Sequence, residues 1–69
     1  MTIYARFQQP AYESRPGAKV ELRRWSGGCE RLVNGRQQDV WWGWPQSTVA
    51  RVLAEWDAFE RHIGSEVVT

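Results

Sequence analysis

The chain has 69 residues, a formal net charge of +1, and is 42% hydrophobic and 25% charged, with five tryptophans. That length allows one domain with a small core, and the composition is that of a globular chain rather than a disordered one. No apolar run approaches the ~18 residues of a membrane-spanning helix, and the near-neutral charge argues against a general polyanion binder.

Met1 to Arg6 lacks a basic segment followed by an apolar stretch, so no secretory signal is expected. Cys29 is the single cysteine. One thiol excludes an internal disulfide, and a small domain without disulfides fits a reducing, cytoplasmic setting. Charge is unevenly spread. Residues 1–48 carry Arg6, Arg15, Lys19, Arg23, Arg24, Arg31 and Arg36 against Glu13, Glu21, Glu30 and Asp39, whereas the last 21 residues are mildly acidic.

Ile3, Ala5 and Phe7 alternate with Tyr4 and Arg6, which predicts a half-buried strand over residues 2–8. Pro10 and Pro16-Gly17 then bracket a polar loop. A second strand is expected over 18–25, with Val20 and Leu22 on one face and Lys19, Glu21 and Arg23 on the other. Ser26-Gly27-Gly28 offers a turn. A third strand over 29–33 runs into Asn34-Gly35, a strong signal for a type I′ hairpin because both central residues need positive φ. The fourth strand covers 37–42 and is stopped by Gly43 and Pro45. In that register Val33 faces Arg36 and Glu30 faces Asp39. Facing carboxylates repel, so a slip or a bulge is expected.

Val49, Val52, Leu53, Trp56, Phe59 and Ile63 form one apolar stripe and predict a helix over 47–63. Ser47 or Thr48 is the expected N-cap, just after Pro45, and Gly64 the expected C′ residue. Asp57 and Arg61 make a favourable i,i+4 pair, and Glu55, Asp57 and Glu60 read as solvated surface. The tail, residues 65–69, is expected to fray, although Val67-Val68 could add to a sheet edge. The order predicts a single α+β domain, residues 1–69. It comprises a three- to four-stranded antiparallel sheet with one C-terminal helix packed on one face, β-β-β-β-α.

Catalytic chemistry finds little footing. His62, the one histidine, falls in the last helical turn, where a cation suits the helix dipole. Cys29 has no neighbouring base to activate it. No ligand spacing for a metal and no phosphate-cradling loop is present. An enzyme is therefore not expected, nor a cofactor or metal.

The remaining signal is arginine and tryptophan on strands. Arg23, Arg24, Arg31 and Arg36 fall on adjacent predicted strands with Trp25 among them, and Lys19 is the only lysine. Arginine forms bidentate contacts and stacks on indole, and Arg and Trp are enriched at binding hot spots. Of the neighbours Trp41 and Trp42, one must point to the helix and the other away. Arg23, Arg24, Trp25, Arg31, Arg36, Trp41 and Trp42 are thus the expected partner-binding residues. The plainer alternative is that the arginines only solubilise an open face. Trp56 is expected in the core, and Trp44 as a staple between strand and helix.

The expected function is a small non-enzymatic binding module, an inhibitor or adaptor, presenting an Arg rim around an exposed Trp to an acidic protein surface. In style it resembles accessory proteins of phages and other mobile elements. The alternative is nucleic-acid binding through the sheet. The predicted topology is similar to the arm-type DNA-binding domains of some integrases and to plant AP2-type domains, which lay strands in the major groove. That resemblance implies that Arg23, Arg24, Arg31 and Arg36 would meet phosphates and guanine edges. A homodimer through a sheet edge or the helix is the third expectation.

Overall fold

A computed structural model describes residues 1–68. It contains β1 (Thr2–Gln9), β2 (Ala18–Trp25), β3 (Gly28–Val33), β4 (Arg36–Trp41), α1 (Gln46–His62) and β5 (Glu66–Val67). The strands form one sheet in the order β4-β3-β2-β1-β5, and every neighbouring pair is antiparallel. The α+β class matches the sequence reading, but the sheet has five strands rather than three or four.

The fifth strand follows from how α1 ends. Gly64 adopts φ 83°, and the Ser65 N–H donates to the Glu60 carbonyl at 2.9 Å and the Gly64 N–H to the Arg61 carbonyl at 3.2 Å. These are the two bonds of a Schellman motif, which reverses the chain with Gly64 at C′ as expected. The reversed tail pairs with β1, Phe7 opposite Val67, and the Val68 N–H donates to the Arg6 carbonyl at 2.9 Å.

The other helix end departs from expectation. Pro45 is the N-cap, with no side-chain cap bond, and the Thr48 and Val49 N–H groups donate to its carbonyl at 3.0 and 3.1 Å. The Trp44 N–H donates to the Gly27 carbonyl at 2.9 Å, which pins the corner and starts the helix at Gln46. Ser47 and Thr48 then lie inside the first turn, too late to cap it.

The hairpin resolves its carboxylate conflict with a bulge. Asn34 and Gly35 take φ 52° and 81°, and Val33 pairs with Arg36. The register then shifts between Arg31 and Leu32, so that Asp39 stands opposite Arg31 instead of Glu30. One extra residue on β4 turns a like-charge pair into a salt bridge, Arg31 Nη2 to Asp39 Oδ2 at 2.5 Å.

Ladder pairing assigns the faces. Trp41, Cys29 and Arg24 share the helix-covered face, followed by Asp39, Arg31, Leu22 and Ala5, then by Arg36, Val33, Val20 and Phe7. Phe7, Val20, Leu22 and Cys29 pack against Val49, Val52 and Leu53 of α1, and all are at most 4% exposed. The helix stripe is only partly as expected. Trp56 is half-buried, Phe59 is 41% exposed, and Glu60, expected on the surface, is 0% exposed. Glu60 stands two turns beyond Leu53, at the centre of the buried stripe, while Phe59 stands at its margin. The carboxylate accepts from Gln9 Nε2 at 3.1 and 3.2 Å and from Ser65 Oγ at 2.9 Å. It thereby ties β1 to the end of the helix, and burial is tolerated because its oxygens are bonded.

Candidate functional site

The opposite face of the sheet has no helix over it. Across it run Val40, Glu30, Arg23 and Ile3 in one row, and Gln37, Leu32, Glu21 and Arg6 in the next. At the β2–β3 turn Trp25 lies directly over Gly28. A Cβ at Gly28 would come within 2.7 Å of the Trp25 ring and overlap the Trp41 carbonyl oxygen, so only glycine permits this seat. The Trp42 indole packs on that of Trp25, centroids 4.7 Å apart and tilted by 52°. Such a tilted pair is a favoured aromatic geometry.

Trp25, half-buried over Gly28, backs the more exposed Trp42 ring. Trp42 stays 65% exposed, and Val40 (37%), Ile3 (42%) and Met1 (78%) are further exposed apolar residues on this face or at its margin, Ile3 lying across Arg23 and Glu30 from Val40. The Trp25 Nε1 atom is buried and has no hydrogen-bond partner among the described residues. An unpaired buried donor of this kind costs about 1–3 kcal/mol.

Below the aromatic corner lies a charged network. Glu21 accepts from Arg6 Nε at 3.0 Å and from Arg23 Nε, and Arg23 Nη1 reaches Glu30 Oε1 at 3.4 Å. Gln37 Nε2 donates to the other Glu30 oxygen at 2.7 Å. The Arg6 hydrogen bond holds the Glu21 carboxyl below its ordinary value of 4.5; partial burial opposes this and Arg23 reinforces it. These long side chains also roof Leu32, which is only 8% exposed although no helix covers it.

The seven residues expected to form one surface are divided. Arg23, Trp25 and Trp42 lie on the open face. Arg24, Arg31 and Trp41 face the helix. Arg24 Nη2 donates to Gln46 Oε1 at 2.8 Å, and Arg31 sits 5.8 Å from the Trp56 ring centroid while bonded to Asp39. Trp41 packs against the core, with Trp44 5.2 Å away. Arg36 is exposed at the start of β4, opposite Val33. Trp44, expected as a staple to the helix, instead packs on Trp41 and bonds Gly27, and remains 47% exposed. Consecutive strand residues point to opposite faces, so Arg23 and Arg24 had to separate. Arg31 pairs with Leu22 and therefore follows it to the covered face. Ile3, Val40 and Met1 were missed. Val40 has the same parity as Trp42, which was the available signal.

Cys29 is fully buried, and burial pushes its thiol up from the ordinary value while the Arg24 charge partly offsets this. Among the described residues there is no cluster of three or more His, Cys, Asp and Glu side chains able to hold a metal, and no helix long and apolar enough to cross a membrane. No family model, no curated protein and no solved structure matches the chain.

Proposed function

We propose that this chain is a small non-enzymatic binding module, an inhibitor or adaptor in kind, that docks a protein partner on its open face with Trp42 as the anchor. The observation that carries this reading is the seating of Trp42 on Trp25, over Gly28, with 65% of the outer residue still exposed. Anchors of this type bind well because little side-chain freedom is lost on docking. An exposed tryptophan beside aliphatic residues and a flanking charged network has the residue types enriched at interface hot spots.

The charges on this face shape the partner. Arg6, Lys19 and Arg23 are matched by Glu21, Glu30 and Glu66, so the face is electrically balanced. A partner surface with an apolar centre and mixed charges fits this better than the acidic surface expected from sequence. The same balance weighs against nucleic acid, since phosphate contacts need guanidinium groups that are not already shared with carboxylates.

The test uses the immobilised protein as wild type, Trp42→Ala and Val40→Asp. A protein retained by the wild type and lost with both variants, each still folded by circular dichroism, supports the reading. Equal retention by all three rejects it. Labelled duplex DNA at about 50 mM salt should show no binding; salt-sensitive affinity there would reinstate the nucleic-acid alternative.

A further inference from the structure

On the other side of the sheet, the loop between β1 and β2 closes over the far end of α1. Tyr12 and Arg15 pair there as an isolated antiparallel bridge, Tyr12 N–H to the Arg15 carbonyl at 3.2 Å and Arg15 N–H to the Tyr12 carbonyl at 3.0 Å. Directly opposed residues project to the same side of a ribbon, and both side chains line a cleft of about 410 Å³. Its other walls are Trp56 and Phe59 from α1, with Arg31, Val33, Gln38 and Gln9 from the strands. Glu13, at the tip of this small turn, holds φ 51°. That conformation disfavours a glutamate, and strained residues of this kind collect at ligand clamps.

We infer that this cleft is a binding site for a small aromatic carboxylic acid. Three aromatic side chains, Tyr12, Trp56 and Phe59, supply flat apolar walls, and the volume lies within the range of small-molecule sites. The Arg15 guanidinium has no hydrogen-bond or ion-pair partner among the described residues and is the receptor for the carboxylate. Arg31 keeps Nε and Nη2 on Asp39 and stacks toward Trp56, so it stiffens the wall and leaves Nη1 as a second donor. Neither Asp39 nor Glu60 lines the cleft and both are engaged, while Glu13 at the turn tip is exposed and outside the lining. Asp39 is held by Arg31, and Glu60 is screened by the Gln9 amide. One unpaired guanidinium against three rings selects a single anionic group on an aromatic body, rather than a phosphate cluster. The site shares no residue with the Trp42 surface, so either stands or falls alone.

The test is a titration of the ¹⁵N-labelled protein with 2-naphthoate, 2-naphthalenemethanol and inorganic phosphate, followed by NMR. The expected result is saturable shifts from 2-naphthoate confined to Tyr12, Arg15, Arg31, Trp56 and Phe59. The neutral alcohol should bind about tenfold more weakly, the worth of one charge-assisted hydrogen bond. Arg15→Gln should remove that preference while the remaining spectrum is unchanged, and Phe59→Ala should weaken both organic ligands together. The proposal is overturned by equal binding of acid and alcohol, by equal response to inorganic phosphate, by an unaltered preference in Arg15→Gln, or by the absence of saturable shifts.

Discussion

On the covered face Phe7, Val20, Leu22 and Cys29 are at most 2% exposed, and the charged residues beside them, Arg24 and Arg31, are bonded to Gln46 and Asp39. On the open face of the same strands, Trp42 and Ile3 remain 65% and 42% exposed beside a chain of ion pairs running Arg6–Glu21–Arg23–Glu30. The first face spends its apolar surface on folding. The second keeps part of it uncovered, on a backing stiff enough to hold an indole in place. The contrast separates residues buried in the core from residues whose apolar surface stays uncovered, and substitutions divide accordingly.

The sharpest contrast pairs Leu53→Ala with Trp42→Ala. Leu53 is 0% exposed in the core, so its truncation should lower stability by about 3–4 kcal/mol in urea unfolding. Trp42→Ala loses mainly one aromatic pair and should cost about 1 kcal/mol. Equal losses would erase the distinction between the faces. Next in size is Glu60→Ala, expected to cost about 2–3 kcal/mol because Gln9 and Ser65 lose a buried acceptor. If that variant unfolds no earlier than wild type, Glu60 is a surface residue after all.

A smaller effect appears in acid. The Glu21 carboxyl is held below 4.5 in the folded chain, so its contribution is present above that pH and is lost as pH falls through the lowered folded value. Glu21→Gln should therefore flatten the loss of stability below about pH 4.5; an unchanged acid limb would place the origin elsewhere. Both arginine partners are on the open face, so salt should shrink the effect. Smallest of all, Glu13→Gly should raise stability by about 0.5–1 kcal/mol by relieving the left-handed backbone, read as a higher midpoint in urea. A drop instead would mean that the glutamate side chain itself holds the turn.

Several of these features could be read from the residues in advance, and the reasons differ. The α+β layering, the Asn34-Gly35 turn and the Gly64 stop rest on short-range backbone preferences, which act within a few residues and so leave a mark in sequence. The bulge was foreseeable because Glu30 and Asp39 would otherwise face each other. The division of the arginines needed only strand parity, applied together with pairing to Leu22. Glu60 and the Trp25 seat were not legible in the same way. A buried carboxylate depends on Gln9 and Ser65, distant or across a turn, and the indole seat depends on the bare backbone of Gly28 meeting a ring from the neighbouring strand.

The claim that Trp42 is displayed rather than packed can be tested directly by adding a soluble paramagnetic agent and following the ring protons of all five tryptophans by NMR. The two-faced architecture predicts the strongest broadening at Trp42, with Trp44 next and Trp25 shielded. Shielding of Trp42 to the level of Trp25 would contradict it and remove the proposed anchor.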